Sequence, residues 1–159
     1  MTRILLVTES AFPAPDGTSG TLKALVDRLV DTGREVRVVA PAPGLRDYRG
    51  ATVVRVSPLA ATGGQVRTAV DAFSPDVVMA VDPTPGPGGL GRKALSQARR
   101  TGVPTIVLQR GVVPTGTSAL WRTQVADRAD LLLVTSQWLR ARLAAAGVAA
   151  DVWKPGVDA

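Results

Sequence analysis

Three stretches of this chain end in the same way, on a glycine soon followed by a run of apolar side chains. Asp31-Thr32-Gly33 precedes EVRVVA, Arg100-Thr101-Gly102 precedes a strand led by Pro104, and Ala145-Ala146-Gly147 precedes DVW. A glycine just past a helix takes the left-handed cap conformation at little cost and turns the chain back toward a sheet. Repeated in this order, the junction builds βαβ units. The apolar runs are ILLVT (4–8), EVRVVA (35–40), TVVRV (52–56), DVVMAV (76–81), TIVLQ (105–109), DLLLVT (130–135) and DVW (151–153). Such continuous, β-branched runs suit strands buried on both faces of a parallel sheet. Between the first two, Leu22, Leu25, Val26, Leu29 and Val30 form the stripe of an amphipathic helix predicted over 19–32. The expected fold is α/β: one Rossmann-like domain over residues 1–159, a doubly wound open parallel sheet of about seven strands with helices on both faces.

Composition removes whole classes of chemistry. The 159 residues contain no cysteine and no histidine, so disulfides, thiolate or imidazole zinc sites, Ser-His-Asp triads and histidine acid–base catalysis are excluded within the chain. The net charge of +6 invites a nucleic-acid reading. Against it, all but three of the 19 basic residues are arginine, consistent with a codon bias, and only 4% of residues are aromatic, too few for stacking platforms. No apolar run approaches the ~18 residues of a spanning helix. Met1-Thr2-Arg3 leads directly into a strand, so the expected location is cytoplasmic, with a peripheral position at the inner membrane face as the alternative.

In a doubly wound sheet, ligands meet the carboxyl ends of the strands. The loops there are 9–19, 82–90, 109–118 and 135–137, rich in Gly, Pro, Ser and Thr. The first, TESAFPAPDGTSG, places Glu9, Asp16, Gly17, Thr18, Ser19 and Gly20 where free N–H groups of a helix start favour a phosphate or diphosphate. Ser19 also suits a helix cap.

Gly86-Pro87-Gly88-Gly89-Leu90-Gly91 matches G-x-G-x-x-G, the dinucleotide fingerprint. It follows the fourth strand instead of the first, contains a proline, and is not followed by an acidic residue on the strand at 105–109, which argues against an NAD(P)- or flavin-binding protein. Arg92, Lys93, Arg99 and Arg100 form two pairs seven residues apart on the next helix. They read as a solvated face or as a contact for a membrane surface or phosphorylated acceptor. Carboxylates are scarce, since Glu9 and Glu35 are the only glutamates; Glu9, Asp16 and Asp82 are the ones placed to face the cleft. No Asp-x-Asp occurs, and no metal or cofactor is expected.

Taken in order, these residues resemble a known family. RILLVTESAFPAPDGTSGTLKALVDRLVDTGREVRVVAP resembles the opening of the family 4 retaining glycosyltransferases of the GT-B fold, FSPDVVMAVDP and GLGRKALSQARRTGVPTIVLQ resemble their next unit, and ADLLLVTSQWLRARLAAAGVAADVWKPGVDA resembles the close of their amino-terminal domain. The resemblance covers essentially the whole chain and is nearest to actinobacterial α-mannosyltransferase-like enzymes. It implies two facing domains, the first binding the acceptor and the second most of the nucleotide sugar. The family's donor signature, a Glu, seven residues and another Glu, has no counterpart here. Where many members carry a histidine after the fifth strand, this chain reads Gln109-Arg110-Gly111, and the loop that follows is short.

The resemblance therefore implies an acceptor-binding domain of a retaining hexosyl- or mannosyltransferase, without the carboxy-terminal nucleotide-sugar-binding domain and inactive alone. Asp82, Gln109 and Arg110 take the catalytic positions, contacting the acceptor or transferred sugar. The partners implied are a donor-binding domain or subunit, a lipid-linked or phosphorylated acceptor, and the nucleotide sugar that the other domain brings. The rival is a non-catalytic Rossmann-like half that pairs with a partner subunit through its cleft face.

Overall fold

The computed structural model describes residues 2–13, 17–113 and 118–153. Its strands are β1 (Arg3–Thr8), β2 (Glu35–Pro41), β3 (Asp47–Tyr48), β4 (Ala51–Val56), β5 (Val77–Val81), β6 (Thr105–Gln109), β7 (Leu131–Val134) and β8 (Asp151–Val152). Its helices are α1 (Gly17–Asp31), α2 (Thr62–Phe73), α3 (Leu90–Arg100), α4 (Ser118–Gln124) and α5 (Gln137–Ala145). All seven expected strands form. The sheet gains one element, the two-residue β3, which pairs antiparallel with β4 at its edge. Every other pairing is parallel, in the order β3-β4-β2-β1-β5-β6-β7-β8.

Side-chain alternation in the strands assigns the helices to two faces. Ile4 and Leu6 point with Val36, Val38 and Val53 toward Leu22 and Val26 of α1. Leu5 and Val7 point the other way, with Val39 and Val78, toward Val66 and Val70 of α2 and Ala94 and Ala98 of α3. The same face continues across β6 and β7, where Val107, Leu132 and Val134 pack against Trp121 of α4 and Leu139 and Leu143 of α5. Among the described residues, α1 thus covers one face and α2, α3, α4 and α5 cover the other.

The three helix–glycine junctions behave as their sequence implies: Gly33, Gly102 and Gly147 have φ of 82°, 74° and 82°. Ser136 starts α5 by accepting a hydrogen bond from the Leu139 N–H at 3.1 Å. The first helix departs from expectation. It begins at Gly17, two residues before Ser19, so Ser19 lies inside its first turn instead of capping it.

The clean strain test is Gly102, where a Cβ would meet nothing within 4 Å and only the backbone conformation resists substitution. Gly102→Ala is expected to cost about 1–2 kcal/mol in urea unfolding. Leu6→Ala, which empties a fully buried site, should cost about 2–5 kcal/mol by the same measurement.

Candidate functional site

The sheet order reverses between β1 and β5: the chain leaves β1 toward β2 on one side and leaves β5 toward β6 on the other. The carboxyl ends of these two strands therefore open a crevice, the usual ligand position in such a sheet. Thr8 pairs with Val81 at its mouth.

On the β1 side, a chain of hydroxyls fixes the first loop. The Ser10 N–H donates to Thr8 Oγ1 at 3.1 Å, and Ser10 Oγ lies 3.1 Å from Ser19 Oγ. Thr8 and Ser19 are fully buried. Ser19, a candidate phosphate ligand by sequence, thus turns its hydroxyl inward to tie α1 to the loop. Gly17, Thr18 and Gly20 lie in the first turn of α1, with Gly17 and Gly20 exposed. Asp16 lies outside the described residues. Arg55, the one charge inside the apolar run 52–56, was the available sign of a further support. Its guanidinium donates to the carbonyl oxygens of Phe12, of Leu45 at 2.8 Å and of Pro41 at 3.1 Å, gathering two loops onto β4.

On the β5–β6 side, Asp82 and Arg110 form one unit. Asp82 has φ 45°, a left-handed conformation tolerated by aspartate at modest cost and often found at functional sites. Its N–H donates to the Leu108 carbonyl at 2.8 Å. Its Oδ1 accepts the Arg110 N–H at 2.7 Å, while Oδ2 lies 3.6 Å from Arg110 Nη1. Both side chains are about one-quarter exposed, so the pair is shielded more than a surface ion pair. The guanidinium also lies against α1: a Cβ placed on Gly17 would meet Arg110 Nη2 at 3.2 Å. Gly17, Asp82 and Arg110, separate in sequence, converge here.

Gln109 sits behind this unit and is buried. Its Nε2 donates to the Gly111 carbonyl at 2.9 Å and its Oε1 accepts Trp121 Nε1–H at 3.1 Å. Both ends of the amide are engaged internally, which fixes the turn that presents Arg110. Trp121 is buried, and its ring nitrogen adds this anchoring bond. Asp82, Gln109, Thr84, Val113 and Trp121 line a cavity of about 250 Å³. Val113 and Trp121 also line a second cavity of about 440 Å³, walled by Leu139 and Leu143.

Glu9 departs from the sequence expectation of a ligand-facing carboxylate. Its Oε1 accepts the Leu90 N–H at 2.9 Å, and its Oε2 accepts the N–H groups of Gly91 at 2.8 Å and Thr84 at 3.4 Å. The carboxylate therefore occupies the α3 N-terminus itself, the place where a helix attracts an anion. The glycines of the G-x-G-x-x-G run serve this closure. A Cβ on Gly89 would lie 1.9 Å from the Thr84 carbonyl oxygen, and one on Gly91 would lie 2.7 Å from Pro83 Cβ and 3.2 Å from Glu9 Oε2. Gln124 of α4, which sequence reasoning missed, accepts the Gly86 N–H at 2.7 Å and holds the loop from the other side.

The basic quartet divides. Arg99 turns to Asp130, at 3.5 Å. Arg92, Lys93 and Arg100 line a groove shared with Arg67 of α2.

Residues 16–154 match the family described as glycosyl transferase 4-like domain. A GDP-mannose-dependent alpha-mannosyltransferase of Mycobacterium tuberculosis (strain CDC 1551 / Oshkosh) is 30% identical over an alignment covering 98% of this chain and 48% of that protein. The chain spans about half the length of the curated relatives it matches. An alpha-glucosyltransferase solved in complex with UDP superposes with a TM-score of 0.69 at 14% identity, covering 99% of this chain and 45% of that one. The UDP-GlcNAc 2-epimerase from Neisseria meningitidis, bound to UDP-GlcNAc, gives 0.69 at 11% identity over 96% and 46%. At these identities the two structures share the fold alone.

Burial raises the Glu9 carboxyl above its ordinary 4.5, against the opposing pull of the Gly91, Leu90 and Thr84 N–H groups and of Lys93. A raised value means that the folded state holds the proton more tightly. Its stabilising contribution is complete below pH 4.5 and is lost as pH rises through the folded value. The stability difference between wild type and Glu9→Gln, measured by urea unfolding, should therefore shrink as pH rises from 4.5 toward neutrality. A difference independent of pH contradicts this.

Proposed function

This chain belongs to the glycosyl transferase 4-like domain family, and from that premise we propose that it is the acceptor-side half of a retaining GT-B glycosyltransferase that moves a hexose, mannose by the two mannosyltransferases it matches, from a nucleotide sugar. The observation that carries the site assignment is the convergence of Arg110, Asp82 and Gly17 at the mouth of the crevice. Arg110 is the one member of this unit whose charge meets the substrate. A guanidinium held beside the first turn of α1 adds a fixed positive charge to the positive end of the helix dipole, a setting that favours a diphosphate.

In the transfer, the bond between the sugar's anomeric carbon and the diphosphate oxygen breaks. A bond from an acceptor hydroxyl forms on the same face, and the hydroxyl proton goes to the departing diphosphate. Negative charge grows on that diphosphate, and a pre-placed cation stabilises it without reorganisation. Asp82 and Gln109 act through Arg110 as positioning residues, one by gripping its main chain and guanidinium, the other by fixing the turn. The cavity beside Asp82 and Trp121 suits the acceptor end. No helix among the described residues is long and apolar enough to cross a membrane; we place the reaction in the cytoplasm, where the acceptor is reached from the inner membrane face.

In this reading the chain alone has no transferase activity and binds GDP-mannose with a Kd of about 1 mM or weaker in calorimetry. Micromolar binding by the isolated chain contradicts the division of labour. In a polypeptide joining this domain to a donor-binding half, Arg110→Ala should lower kcat by about 10²-fold, the scale of removing one preorganised charge-stabilising donor. An unchanged kcat removes Arg110 from the role.

A further inference from the structure

Helices α2 and α3 pack side by side, and their outer sides frame a groove of about 250 Å³. Arg67 of α2 forms one wall. Arg92, Ser96 and Arg100 of α3, four residues apart, form the other, with Lys93 at the upper end. Side chains at this spacing stack along one helix face. Gly63 leaves the α2 wall low at the point where a side chain would meet Arg67 Nη1 at 3.6 Å.

Among the described residues, the cations of this groove have no ion-pair partner. Among the described residues, Arg3, Arg49, Arg99 and Arg110 each have a carboxylate within ion-pair distance, whereas Arg67, Arg92, Lys93 and Arg100 have none. Lys93 Nζ donates to neutral oxygens, Thr62 Oγ1 at 2.5 Å and the Pro87 carbonyl, and Arg92 Nε donates to the Gly86 carbonyl. Two carboxylates lie near. Asp71 accepts Gln97 Nε2–H at 2.9 Å, and Glu9 is turned behind the α3 N-terminus. Burial and the neighbouring Arg92 push the Lys93 ammonium down from its ordinary 10.5, outweighing the attraction of Glu9. Like charges so arranged repel each other, and an anion between them reverses that sign.

We propose that this groove binds a terminal phosphate group, with Arg67 and Arg100 as its principal ligands and the Ser96 hydroxyl as a further donor. A phosphomonoester is close to a dianion at neutral pH and offers three acceptor oxygens. Guanidinium groups from facing walls match those oxygens with charge-assisted hydrogen bonds. Among the described residues no aromatic side chain lines the groove, which sets it apart from a platform for single-stranded nucleic acid. The phosphate is that of a soluble phosphorylated compound or of a lipid headgroup, two sources with the same chemistry. The assignment is independent of the Arg110 crevice and stands or falls separately from it.

The test uses the 159-residue chain, the double variant Arg67→Ala/Arg100→Ala, and a control, Arg34→Ala/Arg46→Ala, that removes equal charge from other exposed positions. All four arginines are exposed, so both variants should fold; circular dichroism and urea midpoints confirm that they do. Titration calorimetry with inorganic phosphate, at ionic strength held constant with chloride, reads the soluble source. Co-sedimentation with phosphatidylcholine vesicles containing phosphatidic acid, compared with phosphatidylglycerol at matched surface charge, reads the headgroup. Saturable binding in either arm that weakens about tenfold or more in the groove variant, and stays within twofold in the control, supports the site. Preference for phosphatidic acid over phosphatidylglycerol identifies a lipid source, and binding to free phosphate a soluble one. Absence of binding in both arms, equal binding by both variants, or vesicle binding that follows surface charge alone overturns it.

Discussion

The double pairing of β1 sets the position of every functional element in this protein. β1 runs parallel to β2 on one side and to β5 on the other, with both registers fixed by fully buried Leu5, Leu6 and Val7. A slip of one residue would turn Leu6 to the face that Leu5 occupies and bury neither stripe correctly. Because the chain leaves the two central strands in opposite directions, their carboxyl ends cannot be bridged by one loop. The crevice is a consequence of topology, and the residues that follow β1, β5 and β6 inherit it.

Glu9 shows how that crevice is held to shape. It is the first residue past β1, yet its carboxylate is spent on the start of α3, which follows β5. It thereby fastens the two sides of the switch point together and fills an anion site that an incoming phosphate would otherwise find. Beside the α1 N-terminus stands the Arg110 guanidinium, against Gly17. Asp82 and Gln109 complete the arrangement by fixing the cation, through a strained backbone on one side and a buried amide–indole bond on the other.

The fold was largely legible in the sequence. Continuous apolar runs name buried parallel strands, and Gly33, Gly102 and Gly147 mark where three helices end because only a left-handed residue makes that turn cheaply. The two-residue β3 was not legible, since Asp47-Tyr48 carries no apolar period and forms only through its pairing with β4. The site was legible in part. Loop position identified Gly17, Asp82 and Arg110 as residues of the cleft edge, because strand ends dictate where a loop lies. Side-chain direction was not, because it depends on partners distant in sequence. Ser19 meets Ser10, Gln109 meets Trp121, Glu9 meets backbone N–H groups some eighty residues away, and Arg99 leaves its neighbours for Asp130. The family resemblance read from ordered motifs agrees with the glycosyl transferase 4-like match over 16–154. The quoted motifs include the α3 wall of the groove between α2 and α3 but not Arg67, which comes from a helix with no motif.

The central claim, that the crevice between β1 and β5 is where this half meets the nucleotide sugar, is tested most directly by amide shift mapping of the isotopically labelled chain with GDP-mannose at millimolar concentration. The account predicts that the largest perturbations fall on the amides of Gly17, Asp82 and Arg110 and their immediate neighbours, with fast exchange throughout. Stationary amides at those three residues while others respond, or no response anywhere in the chain, contradicts it.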